Sequence, residues 1–212
     1  MFEDRKDAGI RLAHALEKYK DKYPLVLAIP RGGVEVGYQV AKHLKAEFSI
    51  LIARKLPFPD NPESGFGAIA EDGSIYINDY AVVWISQAEK QAIIEEQRKE
   101  ITRRIMVLRD GKPLPSPTKR IVILVDDGIA MGSTMRAAIL LCKKKKAEKI
   151  VVAVPVAGAS VIRDFRKLVD EVVVLETPKF FHAVAQVYKH WYDVSDTEVL
   201  SFLHQANQPK DT

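Results

Sequence analysis

Five short apolar runs, largely β-branched, recur along the chain: LVLAI at 25–29, FSILIA at 48–53, IVILV at 121–125, IVVAVPV at 150–156 and EVVVLETP at 171–178. Runs this short and this continuous are what a strand buried on both faces requires. Between most of them lie stretches with helical periodicity. VEVGYQVAKHL places Val36, Val40 and Leu44 on one face, and MRAAILLCKKKKAEK and AGASVIRDFRKL follow the third and fourth runs. Strand and helix in alternation predict an α/β fold, a central parallel β-sheet with helices on both faces. At 212 residues and 23.8 kDa the chain suits one domain, 1–212, with its core over about 24–178. An N-terminal helix is expected over 4–20, with Ile10, Leu12, Ala13 and Leu16 on its apolar face.

The third run ends in chemistry. Residues 121–134 read IVILVDDGIAMGST, so a buried strand leads into two adjacent carboxylates, Asp126 and Asp127, and then into a small-residue loop opening a helix. Paired carboxylates at the end of a strand accept hydrogen bonds from neighbouring hydroxyls, as a ribose diol presents, or share a divalent cation with a ligand. The free N–H groups of Gly132, Ser133 and Thr134, two side-chain hydroxyls and the positive helix end make an anion cradle. A molecule that is sugar at one end and phosphate at the other suits both halves. An ordinary βα corner has Asp and Gly there as well, for capping and for a positive φ.

The first run ends similarly, in PRGG at 30–33 ahead of a helix. Glycine permits close backbone approach to an anion, and Arg31 offers a planar fork of donors. After the second run, Arg54 and Lys55 enter RKLPFPDNPESGFGAIAEDG, the one long stretch dense in proline, glycine and polar residues, which reads as a loop. GAIAEDGSIYIN follows as a hairpin turning at Asp72-Gly73. Ser86 and Glu89 form a capping box before a charged helix with an apolar stripe through Ile93, Ile94, Gln97, Ile101, Ile105 and Leu108.

The strand-corner-loop string resembles the phosphoribosyl-pyrophosphate (PRPP) signature of the type I phosphoribosyltransferases. By that resemblance Asp126 and Asp127 hold the ribose hydroxyls, and the loop of Gly128, Ile129, Ala130, Met131, Gly132, Ser133 and Thr134 takes the 5′-phosphate. Met131 stands where the family has Thr or Ser, so one hydroxyl is missing from the cradle. In the family, PRGG corresponds to the pyrophosphate loop, which assigns the leaving diphosphate to Pro30, Arg31, Gly32 and Gly33. The long loop corresponds to the flexible loop that closes over the reaction centre and brings Lys55 to it. The aromatic-rich segment over about 179–206 corresponds to a small C-terminal hood, whose Phe180 or Phe181 would cover the acceptor. Together with the F-x-A-V-x-x-x-Y stretch at 181–188, the chain is similar to stand-alone bacterial proteins described as predicted phosphoribosyltransferases.

The resemblance implies Mg²⁺ as cofactor, carried mainly by the substrate, PRPP and a nitrogenous, base-like acceptor as partners, and a homodimer. The catalytic set it implies is Asp126, Asp127, Arg31 and Lys55. A second class of function fits the same motif, a non-catalytic regulator that senses PRPP or a nucleotide. His182 and His190 enter as acid/base candidates by nearness alone.

A net charge of +4 and a pI near 9.0 suit anionic small molecules. Nucleic acid is disfavoured, because the lysine run at 143–146 reads as a solvated helix end without an aromatic platform. The single cysteine, Cys142, falls on an apolar helix face and excludes an internal disulfide. No stretch reaches membrane-spanning length and the first residues do not form a secretory signal, so a cytoplasmic protein is expected. Dinucleotide, P-loop, serine-hydrolase and zinc-protease signatures do not occur in the sequence.

Overall fold

The computed structural model describes residues 1–78, 80–82 and 85–208. Helix α1 (Arg5–Ala15) starts at Asp4, whose side chain accepts from the Asp7 N–H, and a 3-10 turn (Glu17–Tyr19) finishes it. Strand β1 (Leu25–Ala28) leads into helix α2 (Gly33–Leu44) and strand β2 (Glu47–Ile50). An antiparallel sheet follows, of β3 (Ala53–Phe58), β4 (Asn61–Ala70) and β5 (Ile75–Ile77). Helix α3 (Gln87–Arg109), capped by the Ser86 and Glu89 box, returns the chain to strand β6 (Ile121–Val125). The remainder alternates: α4 (Ser133–Lys144), β7 (Lys149–Val156), α5 (Ala159–Phe165), β8 (Glu171–Glu176) and α6 (Asp196–Asn207).

The five runs pair in parallel in the order β2-β1-β6-β7-β8, as their unbroken apolar character requires. Alternate residues of β1 and β6 feed opposite faces. Val26, Ala28, Ile123 and Val125 pack with α1, α2 and α6, whereas Leu25, Leu27, Val122 and Leu124 pack with α4 and α5. Cys142 lies fully buried in the second layer, and burial pushes its thiol up to about 12. Among the described residues no helix is long and apolar enough to cross a membrane.

The order places a topological switch point between β1 and β6. From β1 the chain moves outward to β2, and from β6 it moves the other way to β7, so a crevice opens at their carboxyl ends. Both glycine-bearing corners, PRGG and DDGIAMGST, follow those two strands.

Three local expectations change. The run FSILIA is not one strand: β2 stops at Ile50, and Ala53 begins a strand of the second sheet. The stretch read as a long loop is the β3–β4 hairpin. Leu56, Phe66 and Ile69 bury into the first core layer, and Pro57 sits opposite Gly65 at a break in the register, where a missing N–H is tolerated. Ile10, placed on the apolar face of α1, is exposed, and that face runs through Ala8, Leu12, Ala13 and Leu16 instead. The second hairpin forms where expected, although its turn takes three residues: Ala70 and Ser74 pair, and Gly73 adopts φ +84°.

Candidate active site

Strand β6 carries five apolar residues to the end of the sheet and releases the chain at Asp126, which is half-buried. The Asp127 N–H donates 2.9 Å to the Asp126 carboxylate, folding the pair into a tight corner. Ile129 then rejoins the neighbouring strand by donating to the Val156 carbonyl at 2.9 Å, which sets the direction of the loop. At Gly132 the backbone has φ +80°, and a Cβ would lie 2.7 Å from the Phe165 ring, so only glycine fits. Helix α4 begins at the next residue with no side-chain cap. Its first N–H groups have no intrahelical acceptor and point, with the positive end of the helix dipole, at whatever occupies the loop.

The space in front of this loop is a cavity of about 490 Å³. Asp126, Gly128, Ile129, Ala130, Met131, Gly132, Ser133 and Thr134 line one wall. The hairpin supplies the opposite wall through Lys55, Phe58, Glu63, Ser64 and Gly65, and Val184 closes an edge. The alternation of β3 separates its two cations. Lys55 lines the cavity with its ammonium donating to the Glu63 carbonyl, whereas Arg54 turns to α3 and donates 3.0 Å to the Gln97 side chain. Met131 is 76% exposed at the rim, so its side chain points out to water.

The PRGG corner packs directly against the acidic one. A Cβ on Gly32 would lie 1.9 Å from an Asp127 carboxylate oxygen, and one on Gly33 would lie 2.8 Å from the Asp126 Cα. The two corners can meet only because these residues have no side chain. The peptide bond between Pro30 and Arg31 is cis. Arg31 itself leaves the cavity, with its guanidinium 3.8 Å from Asp196 at the start of α6 in an exposed pair.

The two acids differ in their surroundings. Asp126 lines the cavity, and burial together with the neighbouring Asp127 charge pushes its carboxyl well above the usual range. Asp127 is not among the lining residues. Burial pushes it up as well, but Arg5 opposes this with an Nε contact of 2.8 Å to the carboxylate. Arg5 is 2% exposed, donates 2.8 Å to the Tyr192 carbonyl, and stacks 3.9 Å from the Trp191 ring. The Tyr188 hydroxyl donates 2.6 Å to the Asp127 carbonyl, and the Tyr192 hydroxyl donates 2.9 Å to Glu35, which burial pushes up. Sequence reading overlooked Arg5. Its one local signal is position, since Arg5, Ala8 and Leu12 share the inward face of α1 at helical spacing.

Neither proposed acceptor aromatic lines the cavity. Phe180 is 79% exposed, and Phe181 packs with Val184 against the cluster around Phe2 and Tyr188. His182 is exposed and its N–H donates to Gln186, while the His190 N–H donates to the Glu3 carbonyl; neither residue lines the cavity. As for metals, the carboxylates of Asp126 and Glu63 and the hydroxyls of Ser64, Ser133 and Thr134 give the cavity an all-oxygen donor set, the kind Mg²⁺ takes. Among the described residues, one group with nitrogen donors, His14 on α1, Glu17 on the 3-10 turn and His43 on α2, has its ligand atoms within 4.8 Å.

Comparison with known proteins gives concordant results. A family model described as "Phosphoribosyl transferase domain" matches residues 3–190. Two Mycobacterium tuberculosis proteins, from strains H37Rv and CDC 1551, carry the name "Putative phosphoribosyl transferase" and are 41% identical over 210 residues. That match covers 98% of this chain and 47% of theirs, so the chain spans about half the length of these curated relatives. The crystal structure of TT1426 from Thermus thermophilus is 35% identical, covers 96% of this chain and 98% of its own, and superposes with a TM-score of 0.81.

Proposed function

Because the chain belongs to the phosphoribosyl transferase domain family, we propose that it binds Mg-PRPP and transfers the phosphoribosyl group to a nitrogenous, base-like acceptor with release of pyrophosphate. The observation that carries this reading is one cavity of about 490 Å³ that joins the acidic corner to the uncapped start of α4. A sugar phosphate meets a carboxylate at one end and a row of N–H donors at the other.

In this reading the acidic corner accepts hydrogen bonds from the ribose hydroxyls. Residues 128–134 hold the 5′-phosphate with backbone N–H groups and the hydroxyls of Ser133 and Thr134. The exposed position of Met131 supports this, because the hydroxyl missing there belongs to the rim rather than to the row of N–H donors. The acceptor nitrogen supplies an electron pair to C1 as the bond from C1 to the diphosphate oxygen breaks. Positive charge develops on the sugar ring, so positioning and exclusion of water do most of the work. In this reading Lys55, which lines the opposite wall, turns from the Glu63 carbonyl to the departing diphosphate. Arg31 joins it by leaving Asp196, an exposed pair of the kind worth about 1 kcal/mol or less. Mg²⁺ would be carried mainly by the diphosphate and would neutralise its charge, with Asp126, Glu63 and Ser64 as the oxygen donors of this chain that could help to hold it. The β3–β4 hairpin takes the role of the cover, and the segment around Val184 borders the place for the acceptor.

The test is a pyrophosphate-release screen with Mg-PRPP over purine, pyrimidine and other nitrogen acceptors. Release with one acceptor class, absent in Asp126→Asn, is the expected result. Tight binding of PRPP without release from any acceptor would assign the chain a regulatory, PRPP-sensing role instead.

A further inference from the structure

The acidic pair, symmetrical in sequence, is divided by the fold. We propose that only Asp126 is a ligand for the substrate, and that Asp127 is held by Arg5 as a strut that positions the pyrophosphate loop. The proposal rests on the phosphoribosyltransferase reading above and refines the role of its two acids.

Asp126 lines the cavity, and Asp127 does not. The Asp127 carboxylate meets Arg5 at 2.8 Å, in a pair whose side chains are 3% and 13% exposed. Gly32 lies on top of the pair: its absent Cβ would stand 1.9 Å from the Asp127 carboxylate oxygen and 3.2 Å from the Arg5 Nε. The ion pair is therefore the floor under the middle of the PRGG corner. A shift of either partner moves the loop proposed to take the diphosphate.

Arg5 in turn is fixed from the other end of the chain. Its Nη1 donates 2.8 Å to the Tyr192 carbonyl, and its guanidinium stacks against the Trp191 ring at 3.9 Å and stands 5.3 Å from the Tyr192 ring. The Phe2 N–H donates to the Val187 carbonyl at 2.7 Å, and the Lys189 N–H donates back to Phe2 at 2.9 Å. A planar guanidinium can donate in its plane to a carboxylate and a carbonyl while its face stacks on an aromatic ring. The first residues and the segment at 187–192 are thus tied to the corner through Arg5, alongside the bond from the Tyr188 hydroxyl to the Asp127 carbonyl. Arg5 is a positioning residue, acting through Asp127 and touching no substrate.

The test measures the Mg-PRPP dissociation constant by calorimetry, with thermal unfolding alongside, for wild type, Arg5→Met, Asp127→Asn, the double variant and Leu108→Ala. Leu108, at the far end of α3, is 2% exposed and outside the cavity, so its truncation lowers stability without touching the site. All are assayed at a temperature where each is folded by circular dichroism. Arg5→Met and Asp127→Asn should each weaken binding at least about tenfold. The double variant should be no weaker than the weaker single variant, because both remove one interaction. Leu108→Ala should bind like wild type despite its lower Tm. Wild-type affinity in Arg5→Met, effects that multiply in the double variant, or an equal loss in Leu108→Ala would each overturn the proposal. If wild type itself fails to bind Mg-PRPP, the phosphoribosyltransferase reading falls, and this refinement falls with it.

Discussion

At the scale of single residues, the acidic corner holds a conflict between stability and binding. Folding raises the Asp126 carboxyl, so the folded state favours its neutral form. The sign follows: the stability this contributes is fully present below the ordinary carboxylate pKa of about 4, and it is lost as pH rises through the elevated folded value. Asp126→Asn, neutral at every pH, should therefore raise stability at pH 7. The gain should shrink to nothing as thermal melts are repeated towards pH 4. Burial raises the Asp127 carboxyl as well, but Asp127→Asn should lower the Tm, because removing the charge strands the buried Arg5 guanidinium and that loss outweighs the relief. Adjacent identical letters carried no sign of this difference. The pairing that creates it joins residues 122 positions apart, and no local spacing encodes such a contact.

Among the elements, the strands of the parallel sheet were legible because each had to be apolar on both faces, although the second run divides after Ile50, and the capping box at Ser86 because its hydrogen bonds are local. The β3–β4 hairpin was not. Its prolines and glycines read as loop, and its burial comes from neighbours outside the segment, α3 and α4. For the same reason the sequence located the PRGG corner but not its direction, and Arg31 turns towards α6. The contact between the two glycine corners gives a steric prediction. In Gly33→Ala the new methyl would stand 2.8 Å from the Asp126 Cα and 2.9 Å from the Val125 carbonyl, both backbone atoms that cannot rotate away. Overpacking of this kind costs about 1–3 kcal/mol, or roughly 3–10 °C in Tm for a chain of this size. Mg-PRPP affinity should fall with it, and an unchanged melt would show that the corners are looser than their separation implies.

For the whole molecule, the β1/β6 switch point explains why one crevice gathers motifs that lie 96 residues apart, counted from Pro30 to Asp126. Both the first residues and the segment at 187–192 reach the same corner, so a truncation that looks harmless by sequence should not be. Deletion of residues 1–5 removes Arg5 and Phe2 together. It should lower the Tm by about 10 °C, the loss expected from breaking a buried ion pair. A trimmed protein with the parent's melt would show that Arg5 and Phe2 do not hold the corner together. If the acidic corner and the α4 loop form one sugar-phosphate site, calorimetric titration of Mg-PRPP should show saturable one-to-one binding to wild type, lost when Mg²⁺ is chelated, and no measurable binding to Asp126→Asn. A wild type that does not bind, or a variant that binds equally well, would rule that site out.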